Sequence, residues 1–236
     1  MRVFTSNQLF ETCIKIMVAS GVPKDDAEIV ANILVEANLR GHDGHGVLML
    51  PRYLEQAKKG GIKFGTKVDI VKETPNTALL NGNLNFGQVI GVKAMEIAIK
   101  KAKSHSISLV GVFNSNHIGM LAHYPMMALE HDMIGVTICN SQPEVTPYGG
   151  RMRKLGTNPL SIAFPANKER PIVLDMATSV VAAGKVRAKY PKGERTPEGW
   201  IIDEKGLPTT DPAVFMSLKG MLLPFGGYKG YGLSLV

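Results

Sequence analysis

Apolar residues near the start of the chain recur at helical spacing. Leu9, Phe10, Cys13, Ile14, Met17 and Val18 follow a capping Thr5 or Ser6 and stop at Gly21, which predicts a first helix. Pro23 with Asp25, Asp26 and Glu28 opens a second, because early negative charge complements the helix dipole. Its buried stripe is Ile29, Val30, Ile33, Leu34 and Ala37, and it runs out at Arg40–Gly41. A third helix is expected from Leu50 to Lys59, ending at Gly60–Gly61. The glycine- and histidine-rich "GHDGHG" (41–46) therefore falls in a loop at a helix C-terminus.

From there the period shortens. Residues 67–72 alternate as a strand does, and "TALLNGN" predicts a strand followed by a turn. A helix over 88–103 leads to the apolar run "SISLVGVFN" (106–114), expected to be a buried strand. A helix over 120–130 leads to another, "MIGVTICN" (133–140). This β-α-β-α-β order argues for an α/β architecture. Short strands are expected near 160–164 and 171–174 and a helix over 179–190, with 191–212 as a long polar loop. "GYKGYGLSLV" predicts a loop entering a helix; it stops inside an apolar run without a cap, so a fragment is expected.

Composition narrows the class. A chain of 236 residues with 44% hydrophobic content can bury a sizeable core. Its net charge of +7 admits nucleic acid, an anionic membrane surface or small anions as partners. The lysines and arginines are dispersed and lack interleaved aromatics or a nucleic-acid motif, so neither nucleic acid nor membrane is expected. The cysteines, Cys13 and Cys139, form no CxxC pair and sit in apolar runs, as buried thiols of a reducing compartment do. The polar-interrupted N-terminus has no signal-peptide core and no long apolar span follows, so a cytoplasmic location is expected.

The familiar signatures are missing. There is no G-x-G-x-x-G after a strand, no P-loop, no H-E-x-x-H and no G-x-S-x-G. Polar groups nevertheless gather at strand ends. His117 in "NSNHIG" (114–119) follows an apolar strand, where α/β proteins place catalytic groups, and imidazole suits acid–base work near neutral pH. A loop histidine bonded to backbone is the bland alternative. "CNS" (139–141) ends the next strand. "LDMATS" (174–179) ends another with an aspartate and hydroxyls able to meet ribose or a nicotinamide amide, although Ser179 also serves as a plain N-cap.

Taken in order, "RGHDGHGV", "NSNHIG", "LGTNPLSIAFP", "LDMATS" and "LPFGGYKGYGLSL" resemble the malate/L-lactate dehydrogenase family. This non-Rossmann family of nicotinamide oxidoreductases also includes sulfolactate and ureidoglycolate dehydrogenases and piperideine-carboxylate reductases. The likeness extends over essentially the whole chain. It implies an α/β fold in which a nicotinamide-binding mixed sheet is flanked by helices, beside an N-terminal helical domain. Residues 1–65 would be that helical domain, 66–220 the cofactor domain, and 221–236 the start of a further helical part. It also implies a homodimer, NAD or NADP as cofactor, and a small 2-hydroxy or 2-oxo acid as substrate. By motif, His117 matches the family's proton acceptor. Ser141, Asp175, Met176, Ala177 and Lys229 match cofactor contacts, and His45 matches the histidine of the substrate-side loop. No metal is implied.

Two positions depart from the family pattern. Gly44 stands where a serine usually precedes the histidine, and Met49 where many members carry an arginine. Arg52, a helical turn further on, is the candidate replacement for that cation. Two other readings stay open: a metal-dependent hydrolase using His42, Asp43, His45 and His117, and a non-catalytic relative that only dimerises.

Overall fold

The computed structural model describes residues 3–236. The chain divides into two compact units. The first comprises the described part of Met1–Gly135 together with Ala163–Ile172; the second comprises Val136–Ile162 and Val173–Val236.

The first unit opens with α1 (Ser6–Ala19), α2 (Lys24–Leu39) and, after two single 3₁₀ turns, α3 (Leu50–Lys58). Thr5 and Gln8 form a reciprocal capping box that satisfies otherwise orphaned N–H groups at the start of α1. Gly21, at φ +88°, lets the chain turn into α2. Cys13 and Met17 from α1 pack with Val30, Ala31 and Leu34 of α2 and with Tyr53 of α3 in one apolar cluster.

A βαβ unit follows. β1 (Asp69–Glu73) pairs antiparallel with β2 (Thr77–Asn81), and α4 (Gly87–His105) crosses over to β3 (Leu109–Phe113), which pairs parallel with β2. The register aligns Thr77 with Leu109 and Asn81 with Phe113, so both strands end at one level, where the 114–119 loop begins. Next comes α5 (His123–Leu129), tied to α2 by a 2.6 Å contact between His123 Nδ1 and Glu36. That partner, and then Arg40, hold the Glu36 carboxyl below its usual range against the opposing effect of burial.

In the second unit the strands are short. A three-stranded sheet, β4–β5–β6 (Gly135–Ile138, Leu160–Phe164, Ile172–Met176), lies mostly there. α6 (Ala183–Lys189) precedes a small sheet built from β7 (Ile201–Ile202), β8 (Pro208–Thr209) and, after α7 (Pro212–Met216), β9 (Met221–Leu222), in the order β8–β7–β9. Val145, Val186, Ile201, Phe215 and Leu222 form its core. α8 (Tyr228–Leu235) closes the chain.

The structure corrects several sequence expectations. Within the run from 66 to 140, β3 and β4, both expected to be buried, belong to different sheets. Neither strand is buried: Leu109 is 72% exposed and Ile138 67%. Both are edge strands of three-stranded sheets, and an apolar strand is buried only where something covers it. The expected long loop over 191–212 contains β7 and β8. Cys13 is buried as expected, but Cys139 only partly so. Among the described residues no helix is long and apolar enough to cross a membrane.

Candidate active site

The "GHDGHG" loop is held from below by Asn38, in the last turn of α2. Its Nδ2 donates to Asp43 Oδ1 at 2.5 Å and its Oδ1 accepts the Val47 N–H at 2.9 Å, so one amide clamps both sides of the loop. A Cβ on Gly46 would collide with that amide, whereas one on Gly44 would meet nothing within 4 Å. Glycine is thus required at 46 and not at 44. The clamp presents His45, whose pKa is lowered first by burial and then by the charge of His42.

His117 arrives from the end of β3. Asn116 anchors that loop through its Nδ2, which lies 2.8 Å from the Leu84 carbonyl and 3.1 Å from those of Gly61 and Asn85. The first turn of α4 packs so closely beneath that a Cβ on Gly87 would run into the carbonyls of Asn116 and His117. Gly119, at φ +74°, turns the chain away again and sends its N–H toward His117 Nδ1 at 3.3 Å.

The structure brings these two histidines together. Their rings stack with centroids 5.5 Å apart and planes 9° from parallel. Tyr53, buried on α3, places its hydroxyl 2.7 Å from His117 Nδ1, and Gln88, buried on α4, donates from Nε2 to that hydroxyl at 2.8 Å. Burial of the ring, then the charges of His45 and Arg52, push the His117 pKa down to about 4, although the residue keeps an open surface on its remaining side. Burial raises the Tyr53 phenol, with the Gln88 hydrogen bond and Arg52 acting against it. Arg52 is exposed, yet its charge bears on both His117 and Tyr53. So His45 and His117 form a stacked imidazole pair, and the charge of the exposed Arg52 guanidinium reaches His117 and Tyr53. Tyr53, Gln88 and Asn38 were not picked out from the sequence. A tyrosine at core spacing and two amides on helices carry no local signal of this kind.

A second cluster lies in the other unit. Ser141 donates its backbone N–H to Asn158 Oδ1 at 3.0 Å, and its hydroxyl lies 3.1 Å from that of Thr157. Asn158 Nδ2 reaches the Ser234 carbonyl and hydroxyl on α8, each at 3.0 Å. Thr178 donates its N–H to the Thr157 carbonyl at 2.8 Å and accepts at its own carbonyl from the Phe225 N–H at 3.1 Å. Ser141, the end of β6 and the turn into α8 are thereby knitted into one hydrogen-bonded surface. Asp175 sits on β6, with Met176 at its end and Ala177 just beyond. Burial, then the Asp175 charge, lifts the Cys139 thiol to about 11, so that cysteine is no nucleophile at neutral pH. Lys229 is exposed in the first turn of α8, behind Gly226 and Gly227 at positive φ. Thr157, Asn158 and Ser234 complete this surface; the quoted motifs "LGTNPLSIAFP" and "LPFGGYKGYGLSL" contain them, but they were not singled out.

These donors and acceptors fit an anionic dinucleotide. The lysine and the helix N-terminus suit phosphate, while Ser141 and Asp175 supply a hydroxyl and a carboxylate for ribose or amide groups. No three or more His, Cys, Asp or Glu side chains are grouped as a metal ion would require, among the described residues. A cleft of about 620 Å³ beside Phe10, Glu36, Arg40, His123 and Glu130 involves neither cluster, and its Glu36 carboxylate is paired with Arg40 at 3.0 Å.

Comparison with known proteins identifies the family of the chain. A sequence profile described as malate/L-lactate dehydrogenase matches residues 4–236. The chain is 46% identical over 222 residues to an L-sulfolactate dehydrogenase from Methanocaldococcus jannaschii, covering 94% of this chain and 64% of that protein. It is also 46% identical over 238 residues to a malate dehydrogenase from Pyrococcus abyssi, covering 98% and 65%. Among solved structures, the sulfolactate dehydrogenase from Methanocaldococcus jannaschii superposes with a TM-score of 0.91 at 44% identity, over 99% of this chain and 67% of that one. The chain thus spans 64–65% of the length of these curated relatives.

Proposed function

Because the chain belongs to the malate/L-lactate dehydrogenase family, we propose that it transfers a hydride between NAD or NADP and C2 of a small 2-hydroxy or 2-oxo acid. The observation that carries this reading is the stacked His45–His117 pair, with the charge of Arg52 acting on His117. A 2-oxo acid is an anion with a polarised carbonyl. It needs a cation for its carboxylate and a group that gives its oxygen a proton as the hydride arrives, and takes that proton back when the 2-hydroxy acid is oxidised. An arginine and an imidazole are side chains of those kinds. Arg52 and His45 bind and orient the carboxylate. His117 exchanges the proton with the oxygen on C2, and its depressed pKa keeps it uncharged at neutral pH until a substrate charge arrives.

The nicotinamide, when bound, supplies or takes the hydride. Ser141, Asp175, Met176, Ala177 and Lys229 are the side of the chain assigned to hold it. Lys229 with the N-terminus of α8 meets phosphate, and Ser141 and Asp175 meet hydroxyl or amide groups. This places the cofactor on residues of the 66–220 stretch, with Lys229 just beyond it. The family likeness also implies a homodimer, which sedimentation tests directly.

The relatives carry the names of malate, lactate and sulfolactate dehydrogenases, and those acids define the first panel. Each acid and its 2-oxo partner is offered to the chain with NAD and with NADP, and nicotinamide absorbance is followed. Turnover with at least one pair is expected. Absence of turnover in a chain that still binds reduced cofactor would leave the non-catalytic reading standing instead.

A further inference from the structure

Gln88 is fully buried in the first turn of α4, and it touches no position proposed to meet substrate or cofactor. Its Nε2 donates to the Tyr53 oxygen at 2.8 Å. A phenol has one proton, so with its oxygen accepting from Gln88 that proton points along the 2.7 Å contact to His117 Nδ1. The Gly119 N–H aims at the same nitrogen from 3.3 Å. A backbone N–H cannot reverse its direction, whereas an amide or hydroxyl can. Nδ1 must therefore present a lone pair, and a neutral ring then carries its proton on Nε2.

Turning the Gln88 amide over would reverse the chain: Tyr53 would donate to Gln88, His117 Nδ1–H would donate to Tyr53, and two N–H groups would confront each other at Gly119. The fixed donor, together with a Gln88 amide turned to donate to Tyr53, selects the first arrangement. It does so at the expense of Gln88 Oε1, which is buried without a hydrogen-bond partner.

We propose that Gln88, acting through Tyr53, is a positioning residue that holds His117 in the Nε2–H tautomer, so that the resting ring meets the carbonyl oxygen of a 2-oxo acid as a hydrogen-bond donor. A carbonyl oxygen only accepts, so the donor face matches the oxidised substrate. The unpartnered Oε1 then has a purpose. A neutral ring that gave up its Nε2 proton would be left as an imidazolate, so transfer to the C2 oxygen requires the ring to carry a second proton at Nδ1. After the transfer the neutral ring keeps that Nδ1–H, which donates to Tyr53, and Tyr53 donates to Gln88 Oε1 once the amide has turned. Glutamine serves both protonation states; glutamate or leucine would serve one or neither. The catalytic consequence rests on the proton-exchange role proposed for His117, but the tautomer itself does not.

The test is heteronuclear NMR of the full chain with isotope-labelled histidine, with the His117 ring identified by its loss in His117→Gln. At neutral pH the expected pattern is a pyridine-like Nδ1 and a pyrrole-like Nε2. Gln88→Glu replaces the amide donor with a carboxyl that, when ionised, accepts from Tyr53 and leaves the Gly119 N–H as the remaining donor to Nδ1, so the share of Nδ1–H tautomer is expected to rise. Tyr53→Phe, a conservative change that keeps the packing, is expected to mix the tautomers. A protonated Nδ1 in the unaltered chain, or a His117 pattern indifferent to both variants, overturns the proposal. The expected pattern in a chain that reduces none of the acids upholds the tautomer and defeats the dehydrogenase reading instead.

Discussion

His45 and His117 face each other as parallel rings, 5.5 Å between centroids, and each is pushed toward its neutral form. The physical cause is shared. Burial lowers both pKa values, with the charge of His42 adding to it at His45 and the charges of His45 and Arg52 at His117.

A pH dependence of stability follows. The unfolded His117 ring takes up a proton as pH falls through its ordinary value of 6.5, whereas the folded ring resists until about 4. Between those values the unfolded state binds more protons, so stability decreases as pH is lowered across that window. Glu36 acts in the same direction at more acidic pH, since its carboxyl is held low in the fold. Thermal melts from pH 8 downward are expected to lose stability below about 6.5, and His117→Gln is expected to flatten that slope. An unchanged slope in the variant would place the titration elsewhere.

Replacing His117 with alanine separates chemistry from binding. The ring is proposed to meet the substrate oxygen, and the residues assigned to the cofactor are others. Turnover is expected to fall by about 10²–10⁴-fold, the usual contribution of a positioned acid or base, with little change in the affinity for reduced cofactor. Steady-state kinetics and fluorescence titration measure the two quantities on the same sample. Parallel losses in both would count against the assignment.

The helices were legible because their signals are local. The Thr5–Gln8 box and the 3–4 spacing of Cys13 and Met17 mark α1 without reference to anything distant. β7, β8 and β9 escaped because two-residue strands are too short for any period to show. Asp211–Pro212 does carry a start signal, an N-cap aspartate before a first-turn proline, but it was absorbed into the expected loop around α7. Apolar runs such as that of β3 were mistaken for interior strands because apolarity records a preference for cover and not its presence. At the candidate site, His45 and His117 could be found by residue type. Tyr53 could not, since its burial on α3 is that of any core tyrosine and only the fold brings it to His117.

Gly44 offers a change that the loop should accept. It has open space where a Cβ would go and no left-handed φ, unlike Gly41 at φ +77°. Gly44→Ser is therefore expected to fold normally and to gain up to about 0.4–1 kcal/mol through a less flexible unfolded chain. Its added hydroxyl lies next to His45, so the Michaelis constant for the acid is expected to change more than that for the cofactor. A clear drop in melting temperature would show that the loop has a different backbone from the one described.

Asn158 provides the sharpest test of the second cluster, because its amide is used at both ends. Its oxygen accepts from the Ser141 N–H, while its nitrogen donates to the carbonyl and hydroxyl of Ser234. Asn158→Ala removes all of these and is expected to cost about 1–3 kcal/mol, chiefly the penalty for leaving the buried Ser234 groups unpaired, since Ser141 is exposed. Asn158→Asp keeps the size and the acceptor for Ser141 but turns a second oxygen toward the Ser234 carbonyl, where two acceptors repel. The aspartate is thus expected to melt no higher than the alanine at neutral pH. Because the same contact ties the last turn of α8 to the Ser141 segment, both variants should also weaken reduced-cofactor binding. Wild-type stability in Asn158→Asp would mean that the amide nitrogen does not hold α8, and the hydrogen-bonded surface assigned to the cofactor would lose its central member.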